Sequence, residues 1–317
     1  MTLAAVLAIA VCLLFAAVGP ALGRRLPPAA ATRLLVIGSV AAAATTLFVL
    51  AVVAFVRIGE VPLIATIGSW STEVLRRDSP IPDIVTAASA VLLAILTVRA
   101  AAVALRRTRA LLAVHRDCRH LSGAGPIVVV NDDRPDAFTT PDPRGRIVVT
   151  TGLVRALDPL ERRVVLAHER SHLQHGHPWW VLAADLAAAA NPLLAPTAKA
   201  VGHAVERWAD EDAAAITGRR VTARTLARAG LLRHRHAALG PALGVVSADL
   251  PGRVRALLEP PPRSRPLTTT TLLALILTCA LSAVAVQHLG ERLFERAGAA
   301  HHSAPAAVAG AEPASQP

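Results

Sequence analysis

Four long apolar runs limit what this chain can fold into more than any other feature. They cover residues 2–23, about 34–56, 83–105 and 268–286. At ~1.5 Å per helical residue, runs of this length match the ~30 Å hydrocarbon core of a bilayer. The expected architecture is therefore a mainly α membrane protein with four transmembrane helices. Composition agrees, with 53% hydrophobic residues, only 3% aromatic residues and a mean hydropathy of +0.48. The third helix is expected to continue as a stalk through RRTRALLAVHRDCRHL, with Arg99 near its inner end, where its side chain can snorkel.

The first run is read as an anchor. Ala21-Leu22-Gly23 before Arg24 faintly resembles a signal-peptide cleavage site, but Arg24, Arg25 and Arg33 follow the apolar run and no charge precedes it. That order is the reverse of a secretory signal and puts the N-terminus outside. The formal charge of +11 is almost wholly arginine, since Lys199 is the only lysine. Arg106, Arg107, Arg109, Arg116, Arg119, Arg253, Arg255, Arg263 and Arg265 then fall on the inner side and place residues 106–267 in the cytosol. The outer loop 57–82 pulls the other way, because Arg57, Arg76 and Arg77 equal the first inner loop in number. Arginines that flank apolar spans, without interleaved aromatics, are orientation charge, so no direct nucleic-acid binding is expected. Cys12, Cys118 and Cys279 form neither a disulfide framework nor a C-x-x-C metal site.

Between the third and fourth spans lies enough ordinary sequence to bury a core. It opens with strand-like runs at Pro126–Asn131 and Arg146–Thr151, separated by a turn-rich stretch, and continues as helices over 178–190, 196–217, 222–238 and 250–258. Residues 178–194 form a fifth apolar run, yet Asn191-Pro192 interrupts it and Asp185 lies within it. It is read as a domain helix touching the bilayer, with Trp179 and Trp180 at interface level. The resulting domains are 1–105 (three spans), 106–267 (cytosolic domain), 268–289 (fourth span) and 290–317 (a disordered, extracytoplasmic, Ala/Pro/Ser-rich tail).

The chemistry lies in 158–177, DPLERRVVLAHERSHLQHGH. His168, Glu169 and His172 form H-E-x-x-H, which on a helix turns both imidazoles to one face and sets Glu169 beside the first as general base. Asp158 as N-cap, Pro159 at the first helical position and Glu161 as partner of a capping box make that helix credible. Leu160, Val164, Val165 and Leu166 supply apolar neighbours to bury it. Two histidines leave zinc short of a ligand. Glu206 and Asp210, four apart on a later helix, share a face. Alone this pair reads equally as a solvated acidic face; beside the upstream motif, Glu206 becomes the third metal ligand. Asp210 then accepts a ligand histidine's free N–H and fixes its tautomer. His203 is the first candidate for a transition-state stabiliser, followed by His177 and Arg253. His175 stands where the metzincin pattern requires glycine.

His168, Glu169, His172, Glu206 and Asp210 resemble the H-E-x-x-H…E-x-x-x-D of the membrane zinc endopeptidases, the HtpX/Ste24-type enzymes and the BlaR/MecR-type peptidases. The segment from Asp136 to Leu153 is similar to the strand before their zinc helix, and HERSHLQHGHP is close to the BlaR/MecR form. Three spans before the domain and one after match that second group too. The resemblance covers roughly 82–290. It implies a zincin-like α+β metallopeptidase domain between the third and fourth spans, zinc as cofactor, and an edge strand around 146–151 that pairs with extended substrate. It further implies a multi-pass plasma-membrane protein acting on a protein or peptide, either a cytosolic transcriptional repressor or membrane proteins under quality control. Only about 28 residues follow the last span, so the large extracellular antibiotic sensor of BlaR/MecR receptors does not carry over. The competing function is a non-catalytic membrane signal transducer with a zinc-stapled domain. It leaves Glu169 without a purpose, because a structural site fills all four positions.

Overall fold

The structure, a computed structural model, describes residues 2–78, 81–119, 125–140, 145–237, 249–261 and 263–303. Among the described residues, four helices are long and apolar enough to cross a membrane: α1 (Thr2–Gly23), α2 (Pro28–Gly59), α5 (Asp83–Arg119) and α12 (Pro266–Ser303). All four overlap the expected spans. The loop expected between the second and third also holds two short helices, α3 (Pro62–Gly68) and α4 (Thr72–Asp78). α12 runs unbroken to Ser303, well past the expected end of the fourth span, because Gln287–Arg296 contains no helix breaker except Gly290. The remainder of the expected disordered tail lies outside the described residues.

The chain divides into two compact units. One comprises the chain up to Leu13, Ala44–Val98 and the chain from Leu277. Small and β-branched residues let its helices approach closely: Ala5, Ala8, Val49, Val53 and Val286 form one buried cluster. Val56, Leu75, Leu293 and Ala297 form a second, beside Trp70 and Phe294 in edge-on ring contact (5.1 Å). Trp70 donates its indole N–H to the Gly59 carbonyl (2.8 Å), so the half-buried ring keeps its polar atom satisfied.

The other unit comprises Leu14–Ala43 and Arg99–Ile276. Its sheet contains β1 (Ile127–Val130), β2 (Ala137–Thr139) and β3 (Ile147–Thr150) in the order β1-β3-β2, with β1 parallel and β2 antiparallel to β3. β3 is buried at every position, as an unbroken Ile-Val-Val run allows only in a strand flanked on both sides. The expected edge strand at 146–151 is therefore the central strand. The sheet's edges are β1 and β2, the latter formed inside the stretch read as turns. Thr150 ends β3 and caps α6 (Thr151–Ala156), accepting from Leu153 N (3.2 Å). Gly152 lies so close to the Asp133 backbone that a Cβ there would meet its carbonyl at 2.2 Å.

α7 (Pro159–Gln174) begins on the expected capping box. Asp158 accepts from the backbone of Leu160 (2.9 Å) and Glu161 (2.8 Å), and Glu161 accepts from Asp158 N (3.0 Å). Arg228 donates to both oxygens of buried Glu161 (2.8 Å each). Val164 is buried, and Val165 and Leu166 pack against Ile147, Val149, Leu153 and Leu157. Leu160 faces outward instead, at 48% exposure. α8 (His177–Ala190) spans about 21 Å at ~1.5 Å per residue, too short to cross a bilayer. α9 (Ala195–Thr217) follows a 3₁₀ turn at Pro192–Leu194, and its Val201 and Val205 pack with Ala184 of α8 and with Leu35 and Val36 of α2. α10 (Arg219–Ala237) and α11 (Leu250–Leu258) join α9 through Ala214, Ala223, Leu226 and Leu257.

Candidate metal centre

One turn of α7 carries His168 and His172 side by side, with ring centroids 4.8 Å apart and Nε2 atoms 3.1 Å apart. Glu206 comes from the middle of α9. Its Oε2 lies 3.7 Å from His168 Nε2 and its Oε1 3.7 Å from His172 Nε2. The three ligand atoms all fall within 4.8 Å of one another, a spacing that can hold one metal ion. Glu169, half-buried, is the next residue on the helix and lies close enough to act on the charge of both His168 and Arg253.

Each ligand imidazole is held from behind. Asp210 Oδ1 lies 3.0 Å from His168 Nδ1, which puts the ring proton on Nδ1 and leaves Nε2 free to coordinate. Burial works against a charged His168, but the Asp210 hydrogen bond and its charge outweigh that and raise the pKa above the ordinary histidine value. His172 is held by a second imidazole, with His177 Nδ1 2.9 Å from His172 Nδ1. Burial, then His168 and Arg253, keep His172 well below the usual range. Burial and the neighbouring histidines push His177 down to about 3. His177 reaches this position because Gly176 adopts a left-handed conformation (φ 61°) and turns α7 sharply into α8. Trp180 pins the turn by donating to the His175 carbonyl (3.1 Å).

Arg253, from α11, closes the site. Its Nε and Nη2 donate to Oδ2 and Oδ1 of Asp210, each at 2.7 Å, and its Nη1 lies 2.8 Å from Glu206 Oε2. Burial raises the Asp210 pKa, but Arg253 and His168 prevail and hold it at about 2. The single arginine therefore neutralises the carboxylate behind one ligand and orients another. In the sequence Arg253 stands behind His203 as a candidate stabiliser, alongside His177, because nothing in PGRVRALL marks a buried cation. His203, ranked first, is exposed on α9, one turn before Glu206. His175 and Ser171 both meet Asp212 (2.9 and 2.6 Å), and His175 stacks on Trp208 (4.4 Å between centroids). A pattern reading could not have reached that second network, because Asp212 belongs to the same acidic run as Glu206 and Asp210.

The donor set of two unprotonated imidazole nitrogens and one carboxylate, on an H-E-x-x-H helix and with tautomers set from outside, suits a catalytic metal ion. Among the described residues, His168, His172 and Glu206 thus form a group that could hold a metal ion, in a chain with four helices long and apolar enough to cross a membrane. Residues 105–235 match the model of Peptidase family M48. The chain is 47% identical over 51 residues to a "Protease HtpX homolog" of Acidiphilium cryptum, covering 16% of this chain and 18% of that one. It is 49% identical over 54 residues to "Protease HtpX homolog 1" of Streptomyces coelicolor, covering 16% and 17%. It thus spans less than a fifth of the length of either relative. No solved structure matches. Over these stretches the chain is similar to Peptidase family M48 and to the two HtpX protease homologs.

Proposed function

We propose that this chain is an integral membrane zinc endopeptidase that hydrolyses peptide bonds of a protein substrate. The observation that carries the reading is the convergence of His168, His172 and Glu206 beside Glu169. His168 and His172 would hold the zinc through Nε2 and Glu206 through a carboxylate oxygen. Zinc, when bound, supplies Lewis acidity that polarises a carbonyl and lowers the pKa of water towards ~7. Glu169 takes the proton of the attacking water and returns it to the leaving amine. Asp210 keeps His168 in the coordinating tautomer, and Arg253 offsets the charge of Asp210 and Glu206.

Residues 106–267 form the zincin-like peptidase domain, between the third and fourth spans and facing the cytosol from the plasma membrane. The arginine bias supports that orientation. Labelling a Ser303→Cys thiol in intact cells tests it, and label that enters only after permeabilisation would invert the topology. The substrate is either a cytosolic transcriptional repressor or a membrane protein under quality control, and trapping partners on an inactive variant in native membranes separates the two.

The decisive variant is Glu169→Gln. It should keep stoichiometric zinc and lose proteolysis by several orders of magnitude. Unchanged cleavage would falsify the mechanism. A wild-type protein that holds zinc yet cleaves nothing would leave the non-catalytic transducer standing.

A further inference from the structure

A groove of about 490 Å³ lies between α5 and α8, away from the residues of the metal centre. α5 lines it with Arg99, Val103, Arg106 and Arg107, spaced four, three and one apart, which puts them on one helical stripe. α8 lines it with Asp185, Ala188 and Ala189, and the two small side chains leave the space open. Three guanidiniums thus face one carboxylate. Arg107 pairs with Asp185. Neither Arg99 nor Arg106 has a hydrogen-bond or ion-pair partner among the described residues.

Depth decides what such a groove can take. Arg99 lies sixteen residues beyond Asp83, the first residue of α5, and Arg106 twenty-three. At ~1.5 Å per residue these are about 24 and 35 Å along a helix whose membrane crossing needs ~30 Å. The two unpaired arginines therefore straddle the level where hydrocarbon gives way to lipid phosphates. A guanidinium at the hydrocarbon edge snorkels to the headgroup level, where phosphate is the counter-charge within reach. A phosphate monoanion there accepts paired N–H···O bonds, and at this depth the bilayer itself supplies phosphate at high local concentration.

We propose that the groove between α5 and α8 binds the headgroup phosphate of an anionic phospholipid, with Arg99 and Arg106 as its ligands. Arg107, held by Asp185, ties the α5 wall to the α8 wall. Because α8 follows α7 directly, a lipid here would sit on the element that carries His177 against His172.

The test uses the full chain in nanodiscs or as a detergent-extracted complex in native mass spectrometry, with phosphatidylglycerol and phosphatidylcholine as probes. The wild-type protein should retain phosphatidylglycerol in preference to phosphatidylcholine. The double variant Arg99→Gln/Arg106→Gln should bind it about twenty-five-fold more weakly, the product of two surface arginines each worth roughly fivefold. Arg109→Gln, on the same helix but outside the groove, should change nothing. Asp185→Asn frees Arg107 and should tighten binding by roughly fivefold. Equal retention of both lipids by the wild type, or an unaltered preference in the double variant, overturns the proposal. Displacement of the lipid by millimolar inorganic phosphate overturns the lipid assignment and makes a free anion the ligand. None of these outcomes depends on peptidase activity, so they stand or fall apart from the zinc chemistry.

Discussion

Arg253 and Asp210 meet fork to fork, with two hydrogen bonds of 2.7 Å, and their side chains are only 4% and 3% exposed. A buried pair of this kind adds little net stability over apolar neighbours, but breaking it strands a charge. Arg253→Met should therefore destabilise the fold by about 3–5 kcal/mol in denaturant unfolding and weaken zinc retention. Arg253→Lys, which keeps the charge and loses the fork, should fall between the two. A Met variant as stable as wild type would mean that the carboxylates are hydrated rather than paired.

The parts of this arrangement legible in sequence were those with a local spacing. Asp158, Pro159 and Glu161 announce where α7 begins, and the interval of four in His168–His172 and in Glu206–Asp210 announces shared faces. What stayed hidden depends on chain segments meeting from a distance. Arg253 resembles any other arginine of a basic chain until α11 packs on α9 and α10. His177 becomes a partner of His172 only through the left-handed turn at Gly176. The edge strand at 146–151 is what the family resemblance implies, and β2, three residues long in proline-rich sequence, gives no strand signal of its own to oppose it. A strand's place in a sheet is not a property of its own residues.

The histidine pair behind the site gives a pH dependence. In the unfolded chain His177 takes up a proton near pH ~6.5, whereas in the fold it resists protonation down to about 3. Between those values the unfolded state binds more protons, so its neutral burial stabilises the fold above pH ~6.5 and that contribution is lost on acidification. Metal-free protein should lose on the order of 1.4 kcal/mol per pH unit from this residue across the window. His177→Gln should flatten the profile there by about one proton's slope. An identical slope in the variant would show that His177 already carries a proton in the fold.

Asp210 governs a lower window. Its carboxyl is held at about 2 against 3.8 in the free residue, so its contribution is full above about pH 5 and is lost as pH falls towards 2. Asp210→Asn should abolish that part of the acid transition, worth on the order of 2 kcal/mol. It should also loosen zinc binding about 10–100-fold by releasing the His168 tautomer. Chelator competition reads that effect, and zinc affinity at the wild-type level would refute the orienting role.

Removing the metal should expose a cost already present in the apo geometry. His168 and His172 Nε2 lie 3.1 Å apart, and only one can carry a proton between them. A ligand that binds only the folded chain raises its stability by RT ln(1 + [L]/Kd). Chelation should therefore lower the Tm, and zinc at a hundred times its Kd should restore about 2.7 kcal/mol. Glu206→Gln should retain the apo Tm to within a few degrees while losing most of the zinc response. A Tm that ignores zinc in the wild-type protein would place the ion elsewhere or nowhere.

Arg33 ties the start of α2 to the metal-bearing helices. Its guanidinium carbon lies 4.7 Å from the centre of the Trp208 ring, which is 6% exposed and touches His175 and His177, with centroids 4.4 and 4.9 Å away. Trp208 follows Glu206 by two residues, so a cation on its face steadies the same helical turn. A partly desolvated cation–π contact contributes about 1 kcal/mol. Arg33→Gln and Trp208→Phe should each destabilise the protein, and the double variant should cost less than their sum by about 0.5–1 kcal/mol. Strict additivity in that cycle would show that Arg33 lies over the ring without interacting with it, and that the α2 contact with this region rests on Leu35 and Val36 alone.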